Sequence, residues 1–411
     1  MYLPRKRSFW SVGIGHFTND IFMSSGIVLL TFLSSTLLPM SNTQIGFAVS
    51  MTQLTGAFSQ PFFGIRADRT GGRWIGAGGL AWVVSCFTLA LLLAITTHNY
   101  YIMLIPYILM GLGSGAVHPV GSLHAAEADV HRVATNMSYF FLLGQAGLAL
   151  GPTLVGLLLD WANHGSLLAF VNVVGFPSTG SFPANVSPIF FMTLAAIPSI
   201  AFFAYGIPTV KHHEPEPEPE TAETPAKKQS IARLPFIILG GMVLLRSLAN
   251  PGSVNFIPVL FEQKGWSPAE YGLITSFFWL AAGISGVVMG NLADRFDRRY
   301  VVMGSMVLSA PAFYFLPMVD GLPAFLLAVL AGGFSGGAHS IIVVLAQEMV
   351  PRSKGFASGS ILGFIFGAGA LGSLLIGIVS DQIGLGLTFQ AVAVAVALAG
   401  MVALLLPKRS R

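Results

Sequence analysis

Residues 64–73 read GIRADRTGGR, and residues 290–299 read GNLADRFDRR. Gly64, Asp68, Arg69 and Arg73 recur as Gly290, Asp294, Arg295 and Arg299, each 226 positions later. A second register follows: His118, Glu127, Gly151, Gly156 and Asp160 recur as His339, Glu348, Gly372, Gly377 and Asp381, each 221 positions later. One shared spacing arises easily by chance. Two coherent registers that include charged residues indicate an internal duplication, with the five-residue difference absorbed around the third and ninth spans. Two repeats of a membrane bundle, with a site near the midplane between them, form a transporter architecture.

Composition agrees. Of 411 residues, 54% are apolar and 9% charged, far below the roughly 25% that wets a soluble domain. That excludes a soluble enzyme and a nucleic-acid binder; the net charge of +4 is read as a topology signal. The single cysteine, Cys86, lies in an apolar run and excludes a disulfide framework. The apolar runs are too long for the strands of a barrel.

Twelve runs can cross the bilayer: 9–38, 43–65, 74–96, 99–125, 132–160, 188–209, 234–261, 267–292, 300–319, 321–348, 354–381 and 385–407. The expected fold is all-α: twelve transmembrane helices in two pseudo-symmetric six-helix bundles, 1–210 and 233–411. Between them, 211–232 carries alternating Glu-Pro, which extends the chain and packs poorly, so it reads as a flexible cytoplasmic linker; His212 and His213 read as solvated linker residues. With both termini inside, 19 of the 21 basic residues fall on the cytoplasmic side, leaving Lys264 outside and Arg246 within a span.

The GxxxDRxGxR pattern resembles the signature loop of the major facilitator superfamily, and the resemblance covers essentially the whole chain. Within it, GHFTND (15–20), QPFFGIRADRTGGRW (60–74) and GSGAVHPVGSLHA (113–125) are similar to the fosmidomycin-resistance branch of drug exporters. GLALGPTLVG (147–156) is similar to the helix-5 motif of drug/proton exchangers. One departure is that 107–115, YILMGLGSG, lacks the arginine many proton-coupled relatives carry in helix 4, so a relay through it is not expected.

Two charges stand deep in the spans. Asp20 follows Arg7 by 13 residues, and Arg246 follows Arg233 by the same interval, about 20 Å of helix rise. They differ by 226, the register of the signature loops, so they occupy equivalent places in the first and seventh spans. A charge facing lipid costs several kcal/mol, so both should face protein or water. Asp20 is expected to couple protons and Arg246 to bind an anionic group or pair with Asp20; a permanent ion pair joining the halves is the competing reading. His16 and Ser24 stand one turn before and after Asp20, making a polar stripe. His16 is a candidate partner in coupling, while Ser24, Gln53, Gln145 and Asn250 are candidate substrate contacts; simple interhelical bonding competes for each. Pro251-Gly252 should interrupt the seventh span.

His118 and His339, as repeat partners, read first as scaffold common to both halves, with proton relay as the competing reading; their depth suggests an inner-gate role rather than substrate contact. Asp68, Arg69, Arg73, Asp294, Arg295 and Arg299 are expected to gate the cytoplasmic side by pairing with helix ends such as Glu127 and Glu348. GFSGG (333–337) and GAGALG (367–372) match enzyme motifs by letter only, because both lie inside apolar spans. No metal, cofactor or ATP site is expected. The leading expectation is a monomeric proton-coupled exporter of a small drug-like or anionic compound in a bacterial inner membrane. The alternatives are an importer or exchanger of a phosphorylated or sugar-like metabolite, or a non-transporting receptor.

Overall fold

The structure, a computed structural model, describes residues 3–129, 131–164, 185–208, 233–349 and 354–407. The linker 211–232, and with it His212 and His213, lies outside the described residues, as does most of the expected external loop 161–187. The described chain is helical almost throughout. Six helices form the first half: α1 (Arg7–Thr36), α2 (Asn42–Thr70), α3 (Arg73–Thr97), α4 (Tyr100–Ala126), α5 (Val133–His164) and α6 (Ile189–Gly206). The second half holds α7 (Arg233–Ser247), α8 (Ile257–Glu262), α9 (Pro268–Arg295), α10 (Arg298–Phe315), α11 (Leu322–Met349) and α12 (Lys354–Ala403).

The helix count hides two departures from one helix per crossing. The seventh span is α7 and α8 joined by irregular turns, with Asn250 extended at φ −147°, ψ 115° immediately before Pro251. Proline has no N–H to donate and disfavours the helical region for its predecessor, so the break falls where Asn250-Pro251 puts it. The helix α12 is 50 residues long, about 75 Å of rise, more than twice the membrane core. Gly384, at φ 80° and ψ 156°, divides it into the eleventh and twelfth spans. Among the described residues, ten helices are long and apolar enough to cross a membrane, counting α12 once. The helix α2 is not among them, because Thr43, Gln44, Ser50, Thr52, Gln53, Thr55, Ser59 and Gln60 dilute it.

The two halves meet along α5–α9 and α2–α12. Glycine makes the approach possible: a Cβ on Gly156 would lie 2.8 Å from the Pro268 carbonyl carbon, and one on Gly377 would lie 3.0 Å from that of Asn42. Both contacts sit at the end of the bundle away from the termini.

Candidate functional site

The helix α1 places His16 one turn before Asp20, with Nε2 3.2 Å from Oδ2. The helix α4 brings His118 to the other oxygen, Nε2 to Oδ1 3.7 Å, and the two imidazoles meet edge to face at 4.9 Å. The opposed directions of α1 and α4 cause this convergence. Side chains lean toward the N-terminus of their own helix, so Asp20 leans toward the end carrying the termini and His118 away from it. His118, read from sequence first as scaffold and otherwise as a proton relay, thus lies against Asp20.

The remaining ring nitrogens fix the tautomers. His16 Nδ1 donates to the Phe140 carbonyl at 3.0 Å, and His118 Nδ1 donates to the Ser114 carbonyl at 2.8 Å. A carbonyl oxygen only accepts, so each Nδ1 carries a hydrogen and each Nε2 is turned to the carboxylate. Without an added proton, three groups of lone pairs face one another. A proton on Nε2 relieves that repulsion. One polar atom of each of His16, Asp20 and His118 lies within 4.8 Å of the others.

Asn19, fully buried, donates to Asp20 Oδ1 at 2.8 Å and to Ser114 Oγ at 3.2 Å. Phe140 stacks on His16 at 4.2 Å. On α5, a Cβ at Gly144 would lie 2.6 Å from His16 Nε2 and 2.8 Å from Asp20 Oδ2, so glycine is required for α5 to lie over the pair. Asn19, Ser114 and Gly144 were not singled out from sequence. The spacing of Ser114 four residues before His118 was the available signal. The Ser24 hydroxyl donates to the Asp20 carbonyl at 2.8 Å and lies against the Gly147 carbonyl and Gly151, joining α1 to α5.

The second half repeats the frame with the charge inverted. Arg246 is 2% exposed; it donates to the Ser335 carbonyl on α11 at 3.1 Å and to the Asn250 carbonyl, freed by the helix break, at 3.3 Å. Its Nε has no partner among the described residues. His339, one turn beyond Ser335, lies within electrostatic reach of Arg246. Asp20 with His118 and Arg246 with His339 are therefore equivalent pairs in the two repeats. No Asp20–Arg246 ion pair is formed; the partners of each come from its own half. Gln53 approaches the break from the opposite half, since a Cβ on Gly369 would meet both Pro251 and, at 3.7 Å, Gln53 Oε1, which has no hydrogen-bond partner among the described residues. Gln145 faces Gly283 across the α5–α9 seam.

Among the described residues, the cytoplasmic charges make other contacts. Arg73 donates to the Ala204 carbonyl and stacks 4.9 Å over Trp74, because α3 starts after the left-handed turn Gly71-Gly72, which turns Arg73 toward α6. Glu127 lies 3.4 Å from His124, and Arg299 pairs with Asp297 at 2.8 Å. Asp68, Arg69, Asp294 and Arg295 are exposed. The Glu348 side chain lies outside the described residues.

The far end is latched instead. Asp381 accepts from the backbone N–H groups of Asn42 and Thr43, both at 2.8 Å, at the start of α2. Asp160 accepts from Ser267 Oγ at 2.8 Å and the Ala269 N–H at 3.1 Å, at the start of α9. Each half thus caps a helix of the other. Sequence marked these aspartates as repeat partners and gave them no role.

A duplicated bundle of apolar helices, with buried charges at equivalent places in the two repeats and a latch at one end, defines a membrane carrier. The Major Facilitator Superfamily model matches residues 12–251 and again 239–411, and the chain belongs to that family. It is a multi-pass secondary transporter, not an enzyme. Over 405 residues it is 27% identical to the fosmidomycin resistance protein of Escherichia coli (strain K12), covering 97% of this chain and 92% of that one. It is 30% identical over 325 residues to the multidrug resistance protein MdtG of Enterobacter lignolyticus (strain SCF1), covering 75% and 70%. Among solved structures, a bacterial homologue of the human lysosomal transporter Spinster, inward-facing and occupied, superposes with a TM-score of 0.74 at 15% identity, covering 97% of this chain and 95% of that one.

Proposed function

We propose that the protein is a proton-coupled exporter that moves a small drug-like or anionic compound out of a bacterial cell by alternating access. It sits in the inner membrane as a monomer with both termini cytoplasmic, its bundles 1–210 and 233–411 joined by the linker 211–232. One observation carries this reading: equivalent positions of the two repeats hold a carboxylate against two imidazoles and an arginine that, among the described residues, is bonded only to carbonyls. A carboxylate in that setting can take up and release protons. An arginine with a free Nε and neutral partners keeps its full charge for an anionic group. Charge brought into the cavity by substrate changes the field at the carboxylate, and this links the two binding events. The names of the two drug-resistance relatives support export.

The test is flux in proteoliposomes with a panel of anionic and drug-like compounds including fosmidomycin, under pH gradients of both signs. At least one compound should move against the proton gradient. Asp20→Asn should leave exchange but remove its dependence on the gradient. If no compound responds, if substrate and protons move together, or if Asp20→Asn keeps full coupling, the reading fails.

A further inference from the structure

We infer that His118 is the port through which protons reach Asp20 and His16, a role distinct from the scaffold that repetition with His339 suggests. The inference rests on the coupling role proposed for Asp20 and adds the route. Three observations carry it. The first is graded exposure: the His16 side chain is 4% exposed, that of Asp20 9%, and that of His118 26%. His118 is the most exposed member of the cluster, which makes it the one placed to meet water. The second is geometry, because the two Nε2 atoms address different oxygens of one carboxylate, so Asp20 bridges the exposed ring and the buried one. The third is the pair of Nδ1–carbonyl bonds, which leaves Nε2 as the exchanging atom of each ring.

The steps balance simply. A proton from water adds to Nε2 of neutral His118, giving an imidazolium beside the carboxylate. That proton passes to Oδ1, leaving a neutral ring and a neutral carboxyl group. Rotation of the carboxyl group offers the proton to Nε2 of His16, which becomes the imidazolium of an ion pair 3.2 Å long. The 3.7 Å between His118 and Oδ1 is about 1 Å beyond a hydrogen bond, a gap that a small ring movement or one water closes. The titratable groups facing His118 are His16 and Asp20, both on α1. At neighbouring levels of α4, α2 presents Ser59, α3 presents Gly79 and α5 presents Phe140, none of them titratable. His339 stands in the equivalent slot beside Arg246, with no carboxylate in contact among the described residues, so duplication has preserved the position and not the chemistry.

The experiment is nitrogen NMR of the full-length protein in nanodiscs, labelled at histidine, with protons as the only probe and no substrate present. Nε2 of His16 and His118 should titrate as a coupled pair while both Nδ1 stay protonated. In His118→Gln, His16 should still take up its proton, but exchange with bulk water should slow by about tenfold or more. His339→Gln should leave both rings and their exchange unchanged. The inference is overturned if His16 exchanges at the parent rate without His118, if the two substitutions act alike, or if His118 shows no titration coupled to His16. Should His118→Gln fail to fold, His118→Asn carries the same comparison, and the parent titration stands without any variant. A flux assay showing no proton coupling would remove the proposed function, whereas this exchange measurement judges the route by itself.

Discussion

At the residue scale, the acidic site depends on a position with no side chain. Gly144 lies over the edge where His16 meets Asp20, and an added methyl group would overlap both Nε2 and Oδ2. Gly144→Ala should therefore open the 3.2 Å bridge at a cost of about 1–3 kcal/mol, the usual range for overpacking a tight contact. The expected outcome is a lower midpoint of thermal unfolding, with gradient-driven flux impaired at a substrate concentration that still saturates binding. Unchanged coupling would show that the bridge is dispensable. The sequence exposed Asp20 and Arg246 because a charge inside an apolar run is conspicuous and repeat arithmetic gives its depth. It did not expose Gly144, since one glycine among 47 carries no mark of what it touches. For Ser24, spacing on a helix gave the face it shares with His16 and Asp20 but not the hydroxyl's bond to the carbonyl one turn back.

At the element scale, helix termini decide which end of the carrier is closed. The first N–H groups of a helix lack intrahelical partners, and a carboxylate there satisfies them and meets the positive end of the helix dipole. The helix α2 already has a capping box of Ser41 and Gln44, and α9 has one of Ser267 and Glu270. Asp381 and Asp160 are thus second caps, supplied from the opposite half. Losing one should weaken the closed end and spare the helix itself, since the local box remains. Asp381→Asn should cost that end about 1 kcal/mol, roughly fivefold in the equilibrium between open and closed, while helical content by circular dichroism stays constant. Loss of helicity would instead make Asp381 a fold determinant. The spans were legible from hydropathy and the seventh-span break from Pro251. The partner of each helix start was not, because these caps join residues more than 100 positions apart, and charge spacing along a chain does not report which helix end lies across a seam. The same limit explains Glu127, expected to meet Arg73 and found beside His124.

At the scale of the whole molecule, two latches on separate seams distinguish two ways of opening. If the halves rock as rigid bodies, α2 must leave Asp381 in the same motion that takes α9 from Asp160. The two losses then act on one equilibrium, and distant sites add in free energy. If each seam instead flexes by itself, a variant opens only its own side. Cys86 is the sole cysteine and is buried, so an introduced thiol reports with little background. Ser276, at the α5–α9 seam, accepts from the hydroxyl of Thr153 at 2.7 Å, and Ser276→Cys places a thiol there that a water-soluble reagent reaches only when this end opens. Rigid rocking predicts that Asp381→Asn, on the opposite seam, speeds labelling of this thiol about fivefold, as much as Asp160→Asn does, and that the double variant multiplies the two to about 25-fold. Labelling that responds to Asp160→Asn and ignores Asp381→Asn would refute concerted motion and make each seam a gate of its own.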